Sequence, residues 1–236
     1  MDAAFFTVHA GLPREAPGDE ESLAWALACA GTPQDARILD AGCGPGADLK
    51  TFSRLRPQAT LTGIELHAPF VERVRAEQPG VRCVLGDMTT PPGGPYELIW
   101  SAGAAYGPGV RAALTAWATQ LAPGGRVAFS DCLWRAERRS VAARDFWARD
   151  YPSMGDVNTH HATVEAAGYR VLDARWLSDA AWDAYYGPLA ARVRALRADA
   201  DEALAAVLDA TDAEINLWRQ HGDEYGYYLT VAERAG

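Results

Sequence analysis

Residues 38–48 read Ile-Leu-Asp-Ala-Gly-Cys-Gly-Pro-Gly-Ala-Asp, an apolar run and an acid followed by three alternate glycines. Glycine at 42, 44 and 46 lets the backbone turn sharply and lets a ligand approach without a Cβ in the way. The helix that follows offers unpaired N–H groups to a carboxylate or phosphate. Two further acids close apolar segments downstream. Glu65 ends one of them, where a carboxylate can accept both hydroxyl protons of a ribose. Asp87, in Gly86-Asp87-Met88, ends the next, where a carboxylate can accept from the exocyclic amine of an adenine. Taken singly, each acid also reads as a helix N-cap or a solvated loop end. The glycine loop alone is ambiguous too, because Gly42, Gly44 and Ala47 satisfy G-x-G-x-x-A, a dinucleotide-binding pattern. Carboxylates at three successive segment ends point to one nucleoside-bearing ligand.

The elements that must position these groups follow from periodicity. Short apolar runs at 37–42, 59–65, 81–87, 96–101 and 125–131 read as buried strands. Helical patterns at 47–55, 69–78 and 110–121 lie between them, with Pro57, Pro79-Gly80 and Pro123-Gly124-Gly125 as punctuation. Such alternation predicts a doubly wound α/β fold, a parallel sheet with helices on both faces. The three acids then stand at the carboxyl ends of strands, where open α/β sheets take their ligands.

Before the sheet, 21–30 reads as a helix ending at Gly31. Beyond it, 136–149 and 159–167 read as helices, 169–176 as a strand and 227–233 as a last strand. Between these two strands Pro188 suits a first helical position. Leu189, Val193 and Leu196 continue its apolar face, and Leu204, Val207, Leu208, Ile215 and Trp218 mark a second helix. We expect one domain, with an N-terminal cap at 1–34, a core at 35–176, a helical insertion at 178–224 and a final strand at 225–236.

Composition sets the limits. The 236 residues carry 22 basic and 31 acidic side chains, a net charge of −9, and 49% of them are hydrophobic. That is an ordinary globular composition, and its acidity argues against nucleic acid as a partner. Cys29, Cys43, Cys83 and Cys132 are widely spaced, with no His/Cys cluster, so neither a disulfide framework nor a structural metal is expected. The N-terminal stretch lacks a signal-peptide pattern, and no run approaches a membrane span, so a cytoplasmic location without a membrane partner is expected.

The motifs DAGCGPG, GIEL and GDM, with LIWSAGAAY and LAPGGRVAFSD after them, resemble those of the class I S-adenosylmethionine-dependent methyltransferases over residues 35 to 135. The whole chain is also similar to bacterial proteins known only as methyltransferases without a defined substrate. The resemblance implies a Rossmann-like sheet of seven mostly parallel strands with the last antiparallel. It implies S-adenosylmethionine as cofactor, S-adenosylhomocysteine as product and a small-molecule acceptor. Asp40, Gly42, Cys43, Gly44 and Gly46 would then surround the methionine part and Glu65 the ribose. Asp87 and Met88 would meet the adenine, Leu66 would pack on it, and Ser101 and Ala102 would lie beneath the sulfonium. Similar proteins often carry an acid after the Trp-Ser of the fourth strand; here Ala102 stands there, and no role for that acid carries over.

A sulfonium favours carbonyl oxygens, carboxylates and aromatic faces, which Trp100, Tyr106 and Trp134 can supply; the competing reading makes them core aromatics. In-line methyl transfer rests mainly on alignment, and a base is needed only for a nucleophile that must lose a proton. His9 and Tyr106 are the candidate base or orienter, and Arg14 a candidate to bind a carboxylate of cofactor or substrate. The run Arg135, Arg138, Arg139, Arg144 and Arg149 reads as a solvated helix face or an anion-recognising one. Aromatic residues from Trp147 to Tyr186 suggest an apolar substrate chamber or core packing. His160-His161 reads as surface or capping rather than as metal ligands. Two other readings remain open: an NAD(P)-dependent oxidoreductase, allowed by the glycine pattern, and a non-catalytic adenosylmethionine-binding protein.

Overall fold

Asp40 to Ala41 and the equivalent ends of the next three strands all point toward one edge of a seven-stranded sheet. A computed structural model describes residues 3–235; residues 1, 2 and 236, at the extremes of the expected cap and final-strand regions, lie outside it. Strands β1 (Arg37–Ala41), β2 (Thr60–Glu65), β3 (Arg82–Leu85), β4 (Tyr96–Ala102) and β5 (Leu121–Trp134) run parallel. With β6 (Tyr169–Trp176) and β7 (Tyr225–Arg234) they stand in the order β3-β2-β1-β4-β5-β7-β6. Strand β7 is antiparallel to both β5 and β6, as the resemblance implies. The order reverses between β1, which pairs with β2, and β4, and the crevice at such a switch point is where α/β sheets bind ligands.

The helices flank this sheet: α1 (Ala3–His9), α2 (Glu20–Cys29), α3 (Ala47–Leu55), α4 (Ala68–Glu77), α5 (Val110–Trp117), α6 (Val141–Asp150), α7 (Val157–Ala166), α8 (Asp179–Leu196) and α9 (Glu202–His221). Their starts are chemically specified. Asp19 caps α2 through the Ser22 N–H, Asp156 and Thr159 form a capping box on α7, and Asp201 caps α9. Two packed cores fill the faces of the sheet. One contains Leu23, Leu49, Phe52 and Trp182; the other contains Leu39, Ile99, Leu114 and Trp117.

Several boundaries differ from the sequence reading for identifiable reasons. Helix α1 was not expected; its short apolar stretch is stabilised by packing on α8 and α9, which no local pattern reports. Pro188 lies inside α8 rather than at its start. The helix starts nine residues earlier, at Asp179, with Ser178 as its cap through the Ala181 N–H, and Trp182, Tyr185 and Tyr186 are buried. That packing outweighs the roughly 3 kcal/mol handicap of an interior proline. Helix α6 begins at Val141 and not near 136, because the Arg135 and Ala136 N–H groups donate to the Glu224 carbonyl and Ser140 supplies the cap. Strand β5 extends back to Leu121, opposite Tyr96, so the Pro-Gly-Gly run read as a helix terminator lies within it. No helix among the described residues is long and apolar enough to cross a membrane.

Candidate active site

At the carboxyl edge the glycine loop, the ends of β2 to β4 and the helices α1, α6, α8 and α9 enclose a cavity of about 1370 Å³. The loop's shape is dictated by its glycines. Gly42 has φ +79°, and a Cβ there would stand 2.6 Å from that of Ala104, so only glycine fits. The Gly42 and Cys43 N–H groups both donate to the Ile64 carbonyl, at 2.9 and 3.1 Å, which pins the turn to β2.

Glu65, buried at the end of β2, braces the same loop. One carboxylate oxygen accepts from the Gly44 N–H at 2.9 Å, and the other from the His67 N–H at 2.9 Å, with His67 Nδ1 at 2.8 Å. Asp87 is exposed at the opening, and the Thr89 N–H and hydroxyl both donate to its Oδ1 at 2.7 Å. Those donors hold its carboxyl below the usual range. Leu66 is 68% exposed beside it, an apolar surface presented to the cavity rather than to the core. Met88 lines the cavity near Gly42, and its carbonyl accepts from Trp117 Nε1 at 2.8 Å.

Beneath the loop lies a charged cluster. Asp48, on the first turn of α3, accepts from Arg14 Nη2 at 3.0 Å and from Trp100 Nε1 at 2.9 Å. Asp40 is only 1% exposed, and its Oδ2 has no hydrogen-bond partner among the described residues. Burial pushes the Asp40 carboxyl well above its ordinary value, Asp48 and Glu65 push the same way, and Arg14 opposes them. Folded chain therefore retains a proton that unfolded chain releases, and stability falls as pH rises through the interval above the ordinary aspartate value. Asp40→Asn removes that dependence. In ligand-free protein, the variant's melting temperature relative to wild type should climb as pH rises above the ordinary aspartate value of about 4; a flat difference in thermal scans would contradict the assignment.

The sequence candidates separate cleanly. Asp40, Gly42, Cys43, Gly44, Glu65, Leu66, Asp87, Met88, Ala102, His9, Arg14 and Tyr106 all line the cavity. Gly46 and Ser101 do not. Gly46 caps α3, with its carbonyl on Gln78, and the Ser101 hydroxyl donates to the Ala41 carbonyl at 2.8 Å, tying β4 to β1. Trp100 and Trp134 are core aromatics, against Phe52 and Tyr225 respectively. Tyr106 is 41% exposed, its ring 5.3 Å from that of Tyr151. The carboxylate that Arg14 binds is the chain's own Asp48. His9 stacks on Phe5 at 3.9 Å and pairs through Nδ1 with Glu15 at 2.5 Å. Burial raises the Glu15 carboxyl while His9 opposes the shift.

His160 is not on the surface. It lies on α7, buried against β7, with Nε2 2.9 Å from the Thr230 hydroxyl and Nδ1 3.7 Å from Asp131. No group of metal-binding side chains occurs among the described residues. Of the arginine run, Arg135 and Arg139 lie over Trp176 and Trp134, and Arg149 stands at the cavity rim beside Asp150. Of the chamber aromatics, Trp147, Tyr151, Trp182, Tyr185 and Tyr186 line the cavity, whereas Tyr169 and Trp176 do not.

Sequence reasoning missed Glu15 and Glu214. Glu15 follows Arg14 in an irregular segment with no periodic signal. Glu214 carries one: it falls on the α9 face marked by Ala203, Ala206 and Ala210, all cavity-lining, so an acid interrupts a stripe of small residues at helical spacing.

Residues 38–125 match the family model of a methyltransferase domain. A trans-aconitate 2-methyltransferase of Streptomyces avermitilis is 36% identical over 107 residues, which are 41% of this chain and 39% of that relative. This chain thus aligns with well under half the length of that curated relative. Two crystal structures, methyltransferases of Geobacter sulfurreducens and Thiobacillus denitrificans in complex with S-adenosylhomocysteine, share the fold. Each is 22% identical with TM-score 0.84 over 99% of this chain, covering 98% and 99% of theirs.

Proposed function

We propose that this chain, which carries a class I S-adenosylmethionine-dependent methyltransferase domain, transfers a methyl group from S-adenosylmethionine to a small-molecule acceptor. The observation that carries the reading is the convergence of Asp40, Glu65 and Asp87 with the glycine loop on a single cavity. The residues present fit that cofactor. The partnerless Asp40 Oδ2, buried under the loop, offers an acceptor whose ionised form a bound cation would favour. The Asp87 carboxylate, held ionised by Thr89, accepts from an amine at the opening. Exposed Leu66 gives an apolar face for a purine.

When bound, the cofactor supplies a methyl group activated by a positively charged sulfur. The chain's own part is positioning. Glu65 holds the loop through Gly44 and keeps acceptor capacity for a ribose, since an ionised carboxylate has about four lone-pair sites. Arg14 neutralises Asp48, which leaves Asp40 as the uncompensated acid of the cluster. The aromatic wall of α6 and α8 excludes water from the reacting line, so a modest alignment gives a large rate gain. Tyr106, exposed at the wall, orients the acceptor; His9, held by Glu15, positions the α1 roof. We further propose the single-domain organisation outlined from the sequence, with 178–224 as the insertion that covers the site, and a cytoplasmic location.

Calorimetry with S-adenosylhomocysteine and with the nicotinamide dinucleotides tests the reading. Binding of the first and not the second is expected, and preference for a dinucleotide would end it. Transfer of labelled methyl to a metabolite library separates an enzyme from a non-catalytic binder.

A further inference from the structure

The wall contributed by α6, α8 and α9 has a chemistry that the nucleoside reading does not use. Glu214 lines the cavity from α9, and the Tyr186 hydroxyl donates to its Oε1 at 2.9 Å. Its Oε2 accepts no hydrogen bond among the described residues. Alanines at 206, 210 and 213 on the same lining face leave open space before it. Around that space stand the aromatic rings of Trp147, Trp182 and Tyr185.

The charges facing this space are predominantly negative. Asp150 lines it from α6, and from α1 His9 is engaged by Glu15. Both arginines that line the cavity are committed to carboxylates of the chain. Arg14 is on Asp48 at 3.0 Å, and Arg149, largely exposed, is on Asp150 at 2.8 Å. An anionic acceptor would meet carboxylates with no uncommitted guanidinium to receive it. A cation meets an available carboxylate oxygen and aromatic faces, the two groups that bind ammonium ions.

We infer that this chamber binds a small organic amine as its ammonium ion, with Glu214 as the counter-ion, and that an amine is therefore the class of methyl acceptor. The ammonium passes one proton to the Glu214 carboxylate, the freed nitrogen lone pair forms the N–C bond as the methyl–sulfur bond breaks, and the electron pair of that bond leaves on the sulfur of S-adenosylhomocysteine; this acceptor clause rests on the methyltransferase reading above. Burial pushes the Glu214 carboxyl up, while the Tyr186 hydroxyl and His9 pull it down. A buried acid disfavoured as an anion gains most from a cationic partner. The Tyr186 hydroxyl fixes the carboxylate orientation, so Tyr186 is a positioning residue.

The probes are butylammonium and tetramethylammonium, with butyrate as the control of matched size. Binding is read from the fluorescence of the tryptophans in the chamber wall, with S-adenosylhomocysteine present and absent. Both cations should bind and butyrate should not. Glu214→Gln, which preserves shape, should weaken the cations about tenfold or more, the worth of a charged hydrogen-bonded contact. Its affinity for S-adenosylhomocysteine should stay at the wild-type level, which also shows that the variant is folded. Tyr186→Phe should give a smaller loss of cation affinity. Butyrate binding as well as butylammonium, or cation affinity unchanged in Glu214→Gln, would overturn the inference and leave the cofactor reading intact. Failure of wild type to bind S-adenosylhomocysteine would instead overturn the reading on which the acceptor clause rests.

Discussion

Arg14→Ala is expected to destabilise the folded chain by about 3–5 kcal/mol, the loss typical when one partner of a buried ion pair is removed. The side chains of Arg14 and Asp48 are 12% and 10% exposed, so solvent screens neither. Asp48 would keep its bond from Trp100 Nε1 but lose its only guanidinium among the described residues, and it faces Asp40, already disfavoured as an anion. Two uncompensated acids would then share one buried corner. Urea unfolding measures the effect through the midpoint at constant slope. Arg14→Ala/Asp48→Asn should recover much of the loss, because it removes the stranded charge with the cation. Wild-type stability combined with impaired turnover would return Arg14 to the role its sequence context suggests, holding a carboxylate of a ligand.

That contrast shows what the sequence carries. The strand ends bearing Asp40, Glu65 and Asp87 are legible because each couples a local apolar run to a local turn, and helix α3 is bounded by Gly46 and Pro57 as its punctuation implies. Partners are another matter. Arg14 and Asp48 are separated by 34 positions, and Glu214 meets Tyr186 across 28; nothing local encodes either pairing. Helix α1 was missed and Pro188 misplaced for the same reason, since both depend on packing between elements distant in the chain, α1 against α8 and α9 among them. Ser101 shows the opposite failure. Motif position put it at the cofactor, but a strand residue faces one side of the sheet or the other, and its side chain is fully buried against Ala41.

Glu65→Ala should weaken S-adenosylhomocysteine binding by about 1–3 kcal/mol, or about 5- to 150-fold. Two losses combine. A ribose loses its carboxylate acceptor, and the Gly44 N–H, buried and now without the Glu65 oxygen at 2.9 Å, loses the bond that braces the loop. Calorimetry with two ligands separates them. Adenosine, lacking the methionine part, reports the ribose contact alone, whereas any additional loss for S-adenosylhomocysteine reports the loosened loop. Glu65→Gln retains one carbonyl oxygen, which can accept from Gly44 or from the ribose but lacks the charge for both. Its deficit should therefore fall between wild type and Glu65→Ala for S-adenosylhomocysteine. Equal affinities in all three proteins would mean that the second-strand acid is a loop brace only, and the nucleoside would have to sit elsewhere along the sheet edge.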